Sequence, residues 1–174
     1  SARGAENGRL LRSCHLLLKG DLIIANVLFT QRCVRSCPNC FAEKHMSESS
    51  PKDVLTWENL IYLADFLEAS GERRFSILGG EPTLHPDFTD MVAYLLERKF
   101  EVKVFTSGIM ADRVLEESAM VFSAAHPEQL SFICNLNDPQ KTPTPLAEVE
   151  SAKRFLRVFG DRVVPGFNIY RTDF

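Results

Sequence analysis

The chain has 174 residues, 45% hydrophobic and 25% charged, which suits one globular domain and excludes disorder as its general state. A formal charge of −3 and a pI near 5.8 supply no broad basic surface, so neither general nucleic-acid binding nor membrane-surface binding is expected. No apolar run approaches the roughly 20 residues of a membrane span, and the opening "SARGAENGRLLRS" has no signal-peptide core. The five cysteines therefore predict thiols or metal ligands in a reducing cytoplasm, not a disulfide framework.

Residues 1–21 read as an N-terminal extension, and "LIIANVLFT" (22–30) as an entry strand ending at a cysteine loop. "TWENLIYLADFLEASG" (56–71) carries Trp57, Leu60, Ile61, Ala64 and Leu67 at helical spacing and stops at Gly71. "RRFSIL" (73–78) is a strand, followed by "GGEPTLHP", with His85 and Pro86 placed to start a helix over 87–100. "EVKVFTSG" (101–108) is a strand, "ADRVLEESAM" (111–120) a helix, and "LSFICNLND" (130–138) a strand. A helix over 144–160 has Thr144 as cap, Pro145 at its first position and Gly160 after its end; "RVVPGFNIY" (162–170) is the fifth strand. Five strands alternating with four helices predict a parallel α/β sheet with right-handed crossovers. That rhythm fits either an open doubly wound sheet or part of a (β/α) barrel; a full eight-unit barrel takes about 250 residues, so only an incomplete one is possible.

In both architectures chemistry collects at the carboxyl ends of the strands, and the unusual sequences fall there. "CVRSCPNC" (33–40) follows the first strand, "GGEP" (79–82) the second and "TSG" (106–108) the third. "NLN" (135–137) ends the fourth. Three thiols on one loop suit a [4Fe–4S] cluster with one iron left open, or a zinc site closed by the distant Cys14. Gly79 and Gly80 let the backbone approach a ligand closely, and Glu81 can bind a cationic amine beside the cysteines.

Cys33, Cys37 and Cys40 in C-x3-C-x2-C spacing, with GGE after the second strand, resemble the radical S-adenosylmethionine superfamily. "GGEPTLHPDF" looks most like the branch of the molybdopterin-precursor GTP cyclase and peptide-modifying enzymes. The resemblance runs from about residue 22 to the end and implies a core of six βα units, of which about five are present here, in an incomplete (β/α) barrel. It implies a [4Fe–4S] cluster on Cys33, Cys37 and Cys40 whose open iron chelates the methionine part of S-adenosylmethionine. Gly79, Gly80 and Glu81 then match the segment receiving the cofactor's amino group. Asn135 matches a polar contact to ribose or carboxylate, Ser107 the polar member of the third-strand turn, and Asn168 a contact to ribose or substrate. Asn39 stands where the family usually has an aromatic residue beside adenine.

The implied activity is reductive cleavage of S-adenosylmethionine to a 5′-deoxyadenosyl radical that abstracts hydrogen from a peptide, nucleotide or small metabolite. A flavodoxin- or ferredoxin-like protein would supply the electron. The alternatives are a non-catalytic zinc module and a cofactor-binding but inactive fragment or scaffold. Cys134 reads as a core thiol; His15, His45 and His126 read as surface or turn residues, and Arg73 and Arg74 as solvated charges.

Overall fold

A computed structural model describes residues 25–35, 37, 40, 42, 50, 53–136 and 145–167. Its elements follow the expected alternation: β1 (Ala25–Leu28), α1 (Trp57–Ala69), β2 (Arg74–Leu78), α2 (Phe88–Glu97), β3 (Glu101–Thr106), α3 (Asp112–Phe122), β4 (Leu130–Asn135), α4 (Pro145–Phe159) and β5 (Val163–Gly166). Short 3₁₀ turns precede α2 at Pro82–Leu84 and follow α4 at Gly160–Arg162. Gly160 therefore opens a further turn. The expected cap Thr144, and the chain beyond Phe167, lie outside the described residues.

All five strands are parallel and pair in chain order, β1-β2-β3-β4-β5. Consecutive pairing through right-handed crossovers puts every helix on one face of the sheet, as in a barrel, whereas a doubly wound sheet reverses direction and covers both. Among the described residues the sheet does not close, so the architecture is an incomplete (β/α) barrel.

Alternation divides the strand residues. β3 is alternately exposed and buried along its whole length, with Val102 and Val104 turned toward the helices. In register beside them lie Phe75 and Ile77 of β2 and Leu130 and Phe132 of β4, all fully buried. The helices answer with Leu60, Ala64 and Leu67 of α1, Met91, Val92 and Leu95 of α2, and Phe155 and Phe159 of α4. Phe132, Phe155 and Phe159 meet with centroids 4.9–5.4 Å apart. Across the sheet, Leu28, Phe105 and Val164 stand exposed on the uncovered face.

Local chemistry fixes the helix ends. The Thr56 hydroxyl accepts the Asn59 N–H to cap α1, and Gly71 (φ 77°) turns the chain out of it. α2 starts at Phe88 with Asp87 as its N-cap residue, not at His85–Pro86. The reason is that His85 is buried: its Nδ1 accepts the Asp87 N–H at 3.0 Å, which leaves Nε2 to donate to the Leu55 carbonyl at 2.8 Å. The ring also packs edge-on against Phe29, so His85 secures the turn to the core. Among the described residues, no helix is long and apolar enough to cross a membrane.

Candidate active site at the carboxyl ends of the strands

The cysteine loop and the GGEP loop are locked together through their main chains. Gly80 donates to the Thr30 carbonyl at 2.9 Å and Glu81 to the Arg32 carbonyl at 2.7 Å. Both glycines are sterically required. A Cβ on Gly79 would lie 2.4 Å from the Thr30 oxygen; one on Gly80 would lie 2.2 Å from the Arg32 oxygen and 2.9 Å from the Cys33 Cβ. The close approach expected of this pair is therefore made to the cysteine loop itself. Among the described residues, the carbonyls of Gly79 and Gly80 accept no hydrogen bond.

Cys33, Cys37 and Cys40 are partly buried and Cys134 is fully buried. The Cys40 N–H donates to the Cys37 carbonyl at 3.2 Å. Burial pushes the Cys33 thiol above its ordinary pKa, opposed by the Arg35 N–H, 3.5 Å from its sulfur, and reinforced by the charge of Glu81. Burial also pushes Cys134 up to about 11. Cys134 is a core thiol, as its strand alternation indicates. No three His, Cys, Asp or Glu side chains among the described residues converge as ligands of a single metal ion.

Glu81 is buried, 1% exposed, and gathers the ends of two strands. Its Oε1 accepts from the Thr106 hydroxyl at 2.7 Å and the Thr83 hydroxyl at 2.9 Å; its Oε2 accepts from the Ser107 N–H at 2.8 Å and the Ser107 hydroxyl at 2.6 Å. These donors are all neutral, and Glu81 has no ion-pair partner among the described residues. Ser107, expected near a cofactor, thus spends its hydroxyl proton on Glu81. Gly108 (φ 71°) continues the turn, and a Cβ there would meet the Cys134 sulfur at 2.9 Å.

Asn135 ends β4, and its carbonyl accepts from Arg35 Nη1 at 2.9 Å. Alternation puts it on the sheet face opposite the buried Cys134, a face that no helix covers among the described residues. Arg35 also pairs with Glu148 in the first turn of α4, with both side chains nearly buried. This contact was not anticipated from the sequence. Its signal was Glu148 itself, an acid at the head of a buried helical stripe continued by Ser151, Ala152, Phe155 and Phe159. Asn168, Asn39 and Cys14 lie outside the described residues.

The Radical SAM superfamily model matches residues 27–137, from β1 to just past β4. The chain belongs to the radical SAM superfamily. Among curated relatives, "Molybdenum cofactor biosynthesis protein 1" of Bos taurus is 32% identical over 93 residues, 52% of this chain and 15% of that protein. A "Probable GTP 3′,8-cyclase" of Archaeoglobus fulgidus is 31% identical over 91 residues, 52% of this chain and 29% of that one. The matched stretches thus span well under half of these relatives. Crystal structures of Streptococcus suis SuiB share the fold at 17% identity with TM-scores of 0.62. The one bound to S-adenosylmethionine covers 80% of this chain and 32% of SuiB; the one bound to precursor peptide SuiA covers 88% and 35%.

Proposed function

We propose that this radical SAM chain is the cofactor-binding and catalytic core of an enzyme that cleaves S-adenosylmethionine reductively at a [4Fe–4S] cluster held by Cys33, Cys37 and Cys40. The observation that carries this reading is the main-chain interlock of the cysteine and GGEP loops beside a buried carboxylate that has no cation partner among the described residues. A buried negative charge satisfied only by neutral donors favours a positively charged ligand. S-adenosylmethionine carries both an ammonium and a sulfonium. The open carbonyls of Gly79 and Gly80 suit the ammonium, with the charge of Glu81 behind them.

The thiols fit the group. A structural zinc needs its sulfurs gathered about one ion at about 2.3 Å, whereas in a four-iron cluster each thiolate takes a different iron. Three cysteines within eight positions supply one thiolate to each of three irons and leave the fourth iron open for the cofactor, which favours the second arrangement. When bound, the cluster and S-adenosylmethionine supply one electron and a 5′-deoxyadenosyl radical that takes hydrogen from the substrate. The chain's own part is to hold three thiolates, present the two glycine carbonyls, fix them through Glu81, and offer Asn135 toward ribose or carboxylate. A flavodoxin- or ferredoxin-like protein is the proposed reductant, and a peptide, nucleotide or small metabolite the substrate.

The test is anaerobic reconstitution with iron and sulfide, reduction with dithionite, and chromatography for 5′-deoxyadenosine. The unaltered chain should take up four irons and four sulfides and form the nucleoside slowly; Cys37→Ala should form none. Zinc without sulfide in the purified protein would instead establish the metal module. A full cluster that binds the cofactor yet yields no nucleoside would establish the inactive scaffold.

A further inference from the structure

Arg35 lies between the first two cysteines, and its contacts run to the far end of the described chain. Its Nε donates to Glu148 Oε2 at 3.0 Å, and Nη2 lies 3.0 Å from the same oxygen. Its third nitrogen, Nη1, bonds the Asn135 carbonyl, while its own main-chain N–H faces the Cys33 sulfur. The two side chains are 6% and 7% exposed. One residue therefore touches a thiol through its backbone and both β4 and α4 through its guanidinium. We propose that Arg35 and Glu148 form a clasp that holds the cysteine loop closed against β4 and α4, making Arg35 a positioning residue for the thiols.

Three physical arguments support the clasp. A buried ion pair is a poor device for stability alone, because desolvation offsets most of its attraction, and its best-attested use is to specify one geometry. Arginine suits that use: its planar fork addresses two acceptors in fixed directions, which a lysine ammonium cannot do. Glu148 is itself well placed, since the first turn of a helix favours negative charge. One turn further along α4, the Ser151 hydroxyl donates to the Gly108 carbonyl at 3.4 Å and accepts the Met110 N–H at 3.3 Å. The buried stripe of α4 thus steadies the β3 loop as well as the cysteine loop. The family match includes Arg35 and Asn135 but ends before Glu148, so the acid half of the clasp stands outside the matched stretch.

The functional meaning of the clasp rests on the proposed cluster, but its geometry can be tested without metal. Reduced, cluster-free protein is treated with iodoacetamide, and alkylation of each cysteine is followed by peptide mass spectrometry. Cys33 should react on the order of tenfold faster in both Arg35→Met and Glu148→Gln, and by a smaller factor in Arg35→Lys, with Cys134 unchanged. The first two substitutions remove charges of opposite sign, so acceleration in both reports an opened loop and not an altered thiol charge. Rates at Cys33 that stay unchanged, or move in opposite directions, would overturn the clasp. So would a parallel rise at Cys134, which would make the pair a general stabiliser. Because no iron enters the measurement, a chain that takes up no cluster would sink the proposed function and leave this result standing.

Discussion

The two ends of the sheet handle charge in opposite ways. At the amino end, acids and arginines neutralise one another in partly solvated pairs: Arg98 reaches Asp65, Glu68 and Tyr94, Arg73 reaches Glu68, and Arg74 reaches Glu72. Arg98 and Arg73 hold Glu68 below the usual carboxylate range, and Arg74 chiefly holds Glu72 at about 2. A cleft of about 210 Å³ opens there, lined by Arg74, Ser76, Glu101, Lys103, Glu128 and Ser131. At the carboxyl end, Glu81 is buried among neutral hydroxyl and amide donors, and the Arg35–Glu148 pair is closed from solvent. Neither the number of ion pairs nor the cleft therefore locates the chemistry. The proposed function rests instead on a buried carboxylate that has no cation partner among the described residues.

The sharpest way to break this contrast is at the thiols. Alanine at Cys33, Cys37 or Cys40 should abolish the visible iron–sulfur absorption, while Cys134→Ala should leave it; a Cys33→Ala protein with four irons and four sulfides would refute the ligand set. Next comes Gly80→Ala, whose new methyl group would push the two loops apart. It should destabilise the chain by about 3 kcal/mol, the upper end of ordinary overpacking, in denaturant titrations. An unchanged midpoint would mean that the interlock yields freely.

Glu81→Gln should then weaken S-adenosylmethionine binding on the order of tenfold to a hundredfold by calorimetry. It removes the negative charge beside the glycine carbonyls and the charge-assisted bonds from Thr106 and Ser107 that fix the loop, bonds of a kind worth roughly 1.5–3 kcal/mol. Full affinity would reduce Glu81 to a turn residue. The smallest effect belongs to the amino end. Glu72→Gln should change stability at neutral pH by less than about 1 kcal/mol, because its partner Arg74 is solvated. Since folding lowers the Glu72 pKa from 4.5 to about 2, its contribution is complete above the higher value and is lost as pH falls through the lower. The variant should therefore show a flatter loss of stability across that interval, with cofactor affinity unmoved. An identical acid profile would show that the Arg74 contact does not form in solution.

Much of the fold was legible because its signals are local. Thr56 caps α1, Gly71 ends it, and β3 alternates without a fault. The start of α2 was misjudged by two residues because His85 is committed to Leu55, 30 positions back in the chain, a contact that no window around the helix reveals. At the site, the spacing of Cys33, Cys37 and Cys40 and the GGE run singled out two loops that the structure holds together. Sequence could not supply the neighbour that makes Gly79 and Gly80 necessary, which is the backbone at Thr30 and Arg32. Nor could it pair Arg35 with Glu148, or show that Thr83, Thr106 and Ser107 share one carboxylate. Arg73 and Arg74 read as solvated charges, and their side chains are 48% and 35% exposed; the sequence did not show that each also bonds an acid nearby in the chain.

The strand order has a consequence for synthesis. Because each strand pairs with the one before it, the sheet can lengthen along one edge as the chain leaves the ribosome, each new βα unit finding its partner already in place. The Arg35–Glu148 contact is the exception, joining residues 113 positions apart. The cysteine loop is therefore tied to the GGEP loop once β2 has emerged but receives this last contact only after β3, β4 and the first turn of α4. During that interval the three thiols belong to a nascent chain not yet held by α4, and under the proposed function cluster loading competes there with oxidation of those thiols.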